Sequence, residues 1–224
     1  MAFIGFDVYG TLVDPLAMEQ PLQAYVGELA PRFATTWRQH QLESCFRRSL
    51  MGRYANFDVV TRDALHFTAR LLGVTLSSVA EAELLAAYLE LPAFPDARPG
   101  LAALGADGHQ LTAFSNGVES SLRKLLSQVR LLPPLSGVVS VDDVQTYKPH
   151  PAVYQHLVVR GGAPADHTWL VSSNAWDVLG AKSAGLRAAW VRRNHQAPWE
   201  GWGIAEPDLV VTSLGELPSR LAAT

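Results

Sequence analysis

One short apolar strand, Phe3 to Val8, opens the chain and is then cut off from every later strand signal by a helical block of roughly seventy to eighty residues. The strand is rich in β-formers and ends at Asp7-Val8-Tyr9-Gly10-Thr11, which delivers Asp7 to its carboxyl end. From about Glu19 to Glu90 the period turns helical. Trp37, Leu42, Cys45, Phe46 and Leu50 recur at helical spacing, as do Val59, Leu65, Phe67, Ala69 and Leu72, before an Ala/Glu/Leu-rich stretch that ends near Leu89. Pro92, Pro95 and Pro99 then mark a return into a different module. Beyond them, Gln110–Phe114, Gly137–Val141, Thr168–Ser172, Arg187–Val191 and Asp208–Val211 read as short buried strands that alternate with helical stretches. That rhythm predicts an α/β protein with a parallel sheet covered on both faces. A block too long for a simple crossover predicts an inserted helical domain, whereas Gly201 to Pro207 reads only as a loop.

Composition removes most other classes. The chain has 224 residues, 48% hydrophobic and 17% charged, with 18 Lys and Arg against 21 Asp and Glu, a formal net charge of -3. Such a chain buries a sizeable core and is not disordered, and its mild acidity leaves no electrostatic footprint for nucleic acid or anionic lipid. Cys45 is the single cysteine and reads as a buried helix residue, and the seven histidines lack zinc-ligand spacing. The N-terminus has no basic region before its apolar run, and no apolar span reaches transmembrane length, so the expected location is the cytoplasm.

Four polar clusters fall at the carboxyl ends of four of these strands: Asp7 with Thr11, Ser115-Asn116-Gly117, Lys148-Pro149, and Ser172-Ser173-Asn174 with Asp177. Each alone is a common helix cap, turn or surface group. Four on one sheet edge, where open α/β sheets bind their ligands, argue for a site.

These segments resemble the haloacid dehalogenase (HAD) superfamily and, within it, the L-2-haloacid dehalogenases. The resemblance runs over nearly the whole chain through Asp7-Val8-Tyr9-Gly10-Thr11-Leu12, Trp37-Arg38-Gln39, Gln41-Leu42-Glu43, Tyr54, Asn56-Phe57, Ser115-Asn116-Gly117, Tyr147-Lys148-Pro149, Tyr154 and Ser172-Ser173-Asn174-Ala175-Trp176-Asp177. The Trp-Arg-Gln segment and the Ser-Ser-Asn-Ala-Trp-Asp run are the parts specific to the dehalogenases. The implied fold is a Rossmann-like, HAD-like core of residues 1–14 and 95–224 with an all-helical cap of residues 15–94. The implied reaction attacks a short (S)-2-haloacid with Asp7, displaces halide with inversion, and hydrolyses the aspartyl ester to an (R)-2-hydroxy acid. Lys148 would keep Asp7 ionised and oriented, and Thr11 would bond its carboxylate. Asp177 would orient or activate water, with Ser172 and Asn174 fixing Lys148 and the local hydrogen bonds. Arg38 would sit over the departing halide. Ser115 and Asn116 would hold the substrate carboxylate, and Tyr9, Gln39, Leu42, Phe57, Tyr154 and Trp176 would line the substrate pocket. The partners implied are a small halogenated acid and water, with no cofactor or metal, in a possible homodimer.

Two residue positions separate this reading from a phosphatase of the same superfamily. Such a phosphatase carries a second Asp two residues after the nucleophile and extra acids in the last motif for Mg²⁺; here those places hold Tyr9 and Asn174. A halide leaves as a stable anion and needs no general acid, whereas an alkoxide does. Charge counting agrees: Asp7, Asp177 and a substrate carboxylate sum to −3 against +2 from Lys148 and Arg38, and a phosphate dianion would make the deficit larger. The alternatives are a Mg-dependent phosphatase acting on a small phosphoester and a catalytically idle binding protein.

Overall fold

The structure is a computed structural model that describes residues 1–223. Six strands, β1 (Phe3–Phe6), β2 (Gln110–Ser115), β3 (Gly137–Ser140), β4 (Thr168–Ser172), β5 (Arg187–Val191) and β6 (Leu209–Val211), form one parallel sheet in the order β3-β2-β1-β4-β5-β6. The five downstream strands lie where their apolar runs predict, within one residue at each end. β1 stops two residues early because Val8 begins a tight loop: Val8 O accepts from Thr11, Leu12 and Val13 N–H, and Gly10 takes a φ of 95° that an L side chain rarely adopts.

The chain runs outward from β1 in both directions, so the switch in strand order falls beside Asp7. Helices α5 (Ala97–Ala106), α6 (Glu119–Gln128), α7 (Pro151–Gly161), α8 (Ala175–Ser183) and α9 (Leu217–Leu221) accompany the sheet. Buried on both faces, its strands carry continuous apolar runs such as Leu170-Val171 and Ala188-Ala189. Gly5 lets α7 lie against β1, since a Cβ there would stand 2.8 Å from the Leu157 side chain.

Between β1 and α5 the described secondary structure is helical: a 3₁₀ turn at Pro15–Met18, then α1 (Glu19–Val26), a short turn, α2 (Ala30–Leu50), α3 (Phe57–Leu71) and α4 (Ser78–Tyr88). Asn56 and Ser77 cap α3 and α4 by accepting the Val59 and Ala80 N–H groups. The buried stripe of α2 is Ala30, Phe33, Ala34, Trp37, Gln41 and Cys45. It is rotated from the stripe that apolar periodicity predicts: Leu42 and Phe46 are half-buried, and Leu50 and, on α3, Phe67 are exposed. The rotation arises because a polar residue, Gln41, lies on the inner face with both amide heavy atoms hydrogen-bonded.

The two chain crossings between sheet and helical block lie side by side. Asp14 N–H donates to Pro92 O at 2.9 Å, Phe94 N–H donates to Leu12 O at 2.9 Å, and Val13 bridges Ala93. Among the described residues no helix is long and apolar enough to cross a membrane. The loop at 201–207 is pinned by Trp199 Nε1, which donates to Ala205 O.

Candidate active site

Asp7 leaves β1 at the switch point, 5% exposed, with both carboxylate oxygens held. Lys148 Nζ donates to its Oδ1 at 3.1 Å, and Thr11 Oγ1 and Asn174 Nδ2 donate to its Oδ2 at 2.9 and 2.8 Å. Thr11 is aimed from the loop after β1 and is held in turn by Ser173, whose N–H donates to Thr11 Oγ1 and whose hydroxyl donates to Gly10 O.

Lys148 is completely buried. Its ammonium bridges Asp7 and Asp177 (2.9 Å to Oδ2), donates to Phe114 O at 2.9 Å, and stands 4.1 Å above the Phe114 ring. Three acceptors satisfy its three N–H groups, which is how a charge survives at zero exposure. Pro149 does not begin the following helix; α7 starts at Pro151, with His150 as its N-cap. Asp177, in the first turn of α8, is also wholly buried and accepts from Lys148 and from Tyr154 OH at 2.8 Å. Burial pushes its carboxyl above the usual carboxylate range against the pull of Lys148, and the charge on Asp7 adds to the rise.

Ser115 ends β2 and Asn116 follows it. Asn116 Oδ1 accepts the Lys148 backbone N–H at 3.1 Å, and Ser115 Oγ accepts from Gly117 N–H. Arg38 reaches over this edge from α2, half-buried, with Nη1 donating to Gln41 Oε1 at 2.8 Å and Nη2 donating to Tyr9 O at 3.1 Å. Tyr9 stacks on Phe57 and Tyr88 at ring distances of 5.2 and 5.7 Å. A cleft of about 290 Å³ opens beside these three rings, walled also by Leu85, Leu89 and Arg62. Trp176 meets Phe46 of α2 edge-on at 5.1 Å, a contact between sheet domain and helical block. A larger concavity, about 970 Å³, lies at the opposite, amino-terminal end of the sheet around Gln110 and Ser136 and touches none of these groups.

Four expected residues differ. Gln39 lies on the outer face of α2, exposed, with its amide donating to Glu43; it follows Arg38 by one residue, about 100° around the helix, and so points away. Tyr154 does not line a pocket: it is buried behind Asp177, packed on Phe114, with its hydroxyl on the Asp177 carboxylate. Ser172 and Asn174 do not bond Lys148. Ser172 Oγ accepts the Asn174 N–H, and the Asn174 amide goes to Asp7 and to Tyr9 O.

Sequence reasoning gave no role to four residues. Gln41 and Tyr88 join Arg38 in one buried polar cluster, Ser173 locks Thr11, and Tyr147 OH donates to Ala55 O. Only the period-four placement of Trp37, Gln41 and Cys45 signals Gln41 in advance.

The donor set does not suit a divalent cation. The two convergent carboxylates are already bridged by an ammonium, Tyr9 stands where a further acid would be, and among the described residues no three His, Cys, Asp or Glu side chains gather as a metal site.

The family model for haloacid dehalogenase-like hydrolases matches residues 1–185. The chain is 36% identical over 218 residues to an (S)-2-haloacid dehalogenase of Pseudomonas putida, covering 97% of this chain and 95% of the relative. It is 38% identical over 216 residues to (S)-2-haloacid dehalogenase 1 of Pseudomonas sp. strain CBS-3, covering 96% and 94%. Among solved structures, the L-2-haloacid dehalogenase from Xanthobacter autotrophicus with chloropropionic acid covalently bound superposes with a TM-score of 0.93 at 33% identity, over 100% of this chain and 99% of the other. With this fold, this charged edge and these matches, the chain belongs to the haloacid dehalogenase-like hydrolases and groups within them with the (S)-2-haloacid dehalogenases.

Proposed function

We propose that the chain is a hydrolytic dehalogenase that converts short (S)-2-haloacids to (R)-2-hydroxy acids and halide, with Asp7 as nucleophile and without a metal. The observation that carries the reading is the pairing of a restrained carboxylate, Asp7 held by Lys148, Thr11 and Asn174, with an Arg38 that bonds neutral oxygens and, among the described residues, no carboxylate. The covalent chloropropionate in the Xanthobacter relative supports the same chemistry.

In the first step an Asp7 oxygen forms a bond to C2 of the substrate while the carbon–halogen bond breaks, the halide leaves with the bonding pair, and the configuration inverts. Arg38 stabilises the charge that grows on the halogen. In the second step water attacks Cγ of the Asp7 ester; the hydroxy acid departs with the original Asp7 oxygen, and solvent oxygen stays on Asp7. The balance is haloacid anion plus water to hydroxy acid anion, halide and a proton. Asp177 orients or activates that water, a role favoured by its raised basicity, since each of its oxygens keeps a second lone pair. Because Asn116 Oδ1 is committed to the Lys148 N–H, its NH₂ end is the donor left for the substrate carboxylate, together with the Ser115 hydroxyl. Tyr9, Phe57, Leu42 and Trp176 shape the apolar surround. Ser172 acts one step back, by setting Asn174.

We divide the chain into a core of 1–14 and 95–224 and a cap of 15–94, supported by the paired crossings at Val13 and Ala93. A cytoplasmic homodimer is the setting we propose. The dimer is supported by exposed Leu50, Met51, Phe67 and Leu71 at the ends of α2 and α3, and light scattering reads it directly.

The test is halide release in EDTA-treated, metal-free buffer from L- and D-2-chloropropionate. Release from the L acid alone, abolished in Asp7→Asn, is expected. Equal rates on both enantiomers, or turnover that appears only with Mg²⁺ and phosphoesters, sinks the proposal. A single turnover in ¹⁸O water should give unlabelled hydroxy acid, because its new oxygen comes from Asp7.

A further inference from the structure

Gln41 is a fully buried amide in the middle of α2, the kind of residue that a helix interior rarely accepts unless every polar atom is matched. Here every one is. Its Oε1 accepts from two donors, Arg38 Nη1 at 2.8 Å and Tyr88 OH at 2.9 Å. Its Nε2 donates to Thr61 Oγ1 at 2.7 Å, and the Thr61 hydroxyl donates onward to Phe57 O at 2.7 Å. Trp37 Nε1 closes the cluster by donating to Thr61 O at 2.9 Å. The order of donors runs one way only: Thr61 has given its proton to a carbonyl, so it must receive from Gln41, and the amide oxygen therefore faces Arg38.

We propose, resting on the dehalogenase reading above, that Gln41 is a positioning residue that aims the Arg38 guanidinium at the departing halide while leaving its charge uncompensated. Arg38 has two bonds in this structure, to Gln41 Oε1 and to Tyr9 O, and both acceptors are neutral; among the described residues no carboxylate pairs with it. Tyr9 O also accepts from Asn174 Nδ2, which donates to Asp7, so the guanidinium is registered to the nucleophile through a single carbonyl. A glutamate at position 41 would hold the guanidinium equally well and draw its charge away. A leucine would leave it unaimed and strand the Tyr88 hydroxyl and Thr61. An amide is the side chain of this length that orients the cation and neutralises nothing.

The experiment compares Gln41→Glu and Gln41→Leu with the parent in single-turnover halide release from L-2-chloropropionate and L-2-bromopropionate, alongside melting temperatures and crystal structures of both variants. Gln41→Glu is expected to lower the Tm, because it sets a carboxylate oxygen against Thr61 Oγ1 where the amide donated, and beyond that to lose about 10- to 100-fold in the rate constant for halide release with KM changed little. The loss should be larger for chloride than for bromide, the easier leaving group. In Gln41→Leu the guanidinium should leave Tyr9 O, with a comparable loss. Parental rates in Gln41→Glu, or losses equal for the two halides that follow Tm alone, overturn the proposal. So does a Gln41→Leu structure with Arg38 still on Tyr9 O. If the parent itself releases no halide, the dehalogenase reading fails, and the position of Arg38 in the two variant structures still decides whether Gln41 aims it.

Discussion

Two cations face the same carboxylate edge and are held in opposite ways. Lys148, from the sheet domain, is buried completely and bridges two carboxylates, Asp7 and Asp177, with a backbone carbonyl as its third acceptor. Arg38, from the helical block, is half-buried and bonds an amide oxygen and a peptide oxygen, both neutral. The first charge is matched by carboxylates of the protein itself, and we propose that it serves the geometry of the nucleophile. Among the described residues no carboxylate pairs with the second, which leaves it available to an anion that arrives with the substrate or develops during reaction. A site that binds a carboxylate and expels a halide needs both arrangements, and the chain takes them from different parts of the fold.

The largest expected difference follows from removing each cation. Lys148→Met strands two buried carboxylates within reach of each other, and breaking a buried pair in this way costs about 3 to 5 kcal/mol. Urea unfolding at neutral pH should show a loss of that order together with loss of turnover. A variant of unchanged stability would mean that Asp7 and Asp177 do not depend on the ammonium.

Arg38→Ala should invert that pattern. Its partners are neutral, and Gln41 Oε1 keeps the Tyr88 hydroxyl, so the unfolding free energy should change by no more than about 2 kcal/mol. Halide release should fall by about 10² to 10³, the scale of losing one preorganised group at a developing charge, with the effect in kcat rather than KM. Arg38→Lys should recover little, because an ammonium cannot span the Gln41 and Tyr9 oxygens together. Substantial stability loss without a kcat effect would make Arg38 a structural clasp between the two domains and erase the contrast with Lys148.

The contrast was only half legible in the sequence. Buried parallel strands write themselves as apolar runs, so Thr168–Ser172 and Arg187–Val191 are found to the residue, and polar groups that follow such runs announce the sheet edge that holds Asp7, Ser115, Lys148 and Asn174. A helix gives no such marker on its buried side when that side is polar. Gln41 and Thr61 look like surface residues to a reading that counts hydrophobicity, although their partners come from α3 and α4 and from Arg38 one turn away. Neighbours along a helix are also separated by about 100°, so a motif that includes both Arg38 and Gln39 cannot by itself say which of them faces inward. Tyr154 has the same ambiguity: its hydroxyl reaches the site, but from behind Asp177.

That place behind Asp177 makes Tyr154 the finest probe of how the sheet-domain cation is tuned. Burial raises the Asp177 carboxyl; the Lys148 charge pulls it down, Asp7 pushes it up, and the bonds from Lys148 and from Tyr154 OH also lower it. Tyr154→Phe deletes one of the lowering contributions, so the acid limb of kcat/KM should move upward while the plateau rate stays within a few-fold. Stability carries the same sign. A carboxyl whose folded pKa lies above its unfolded value binds its proton more tightly when folded, so stability declines as pH rises from the unfolded pKa through the raised one. Deleting the Tyr154 hydroxyl widens that window, and the variant should therefore be weakened more at neutral pH, by about 1 kcal/mol, than near pH 4. An acid limb that stays in place or moves downward would show that Lys148 alone sets the ionisation of Asp177, and that the two carboxylates and their ammonium form a closed unit indifferent to the tyrosine behind it.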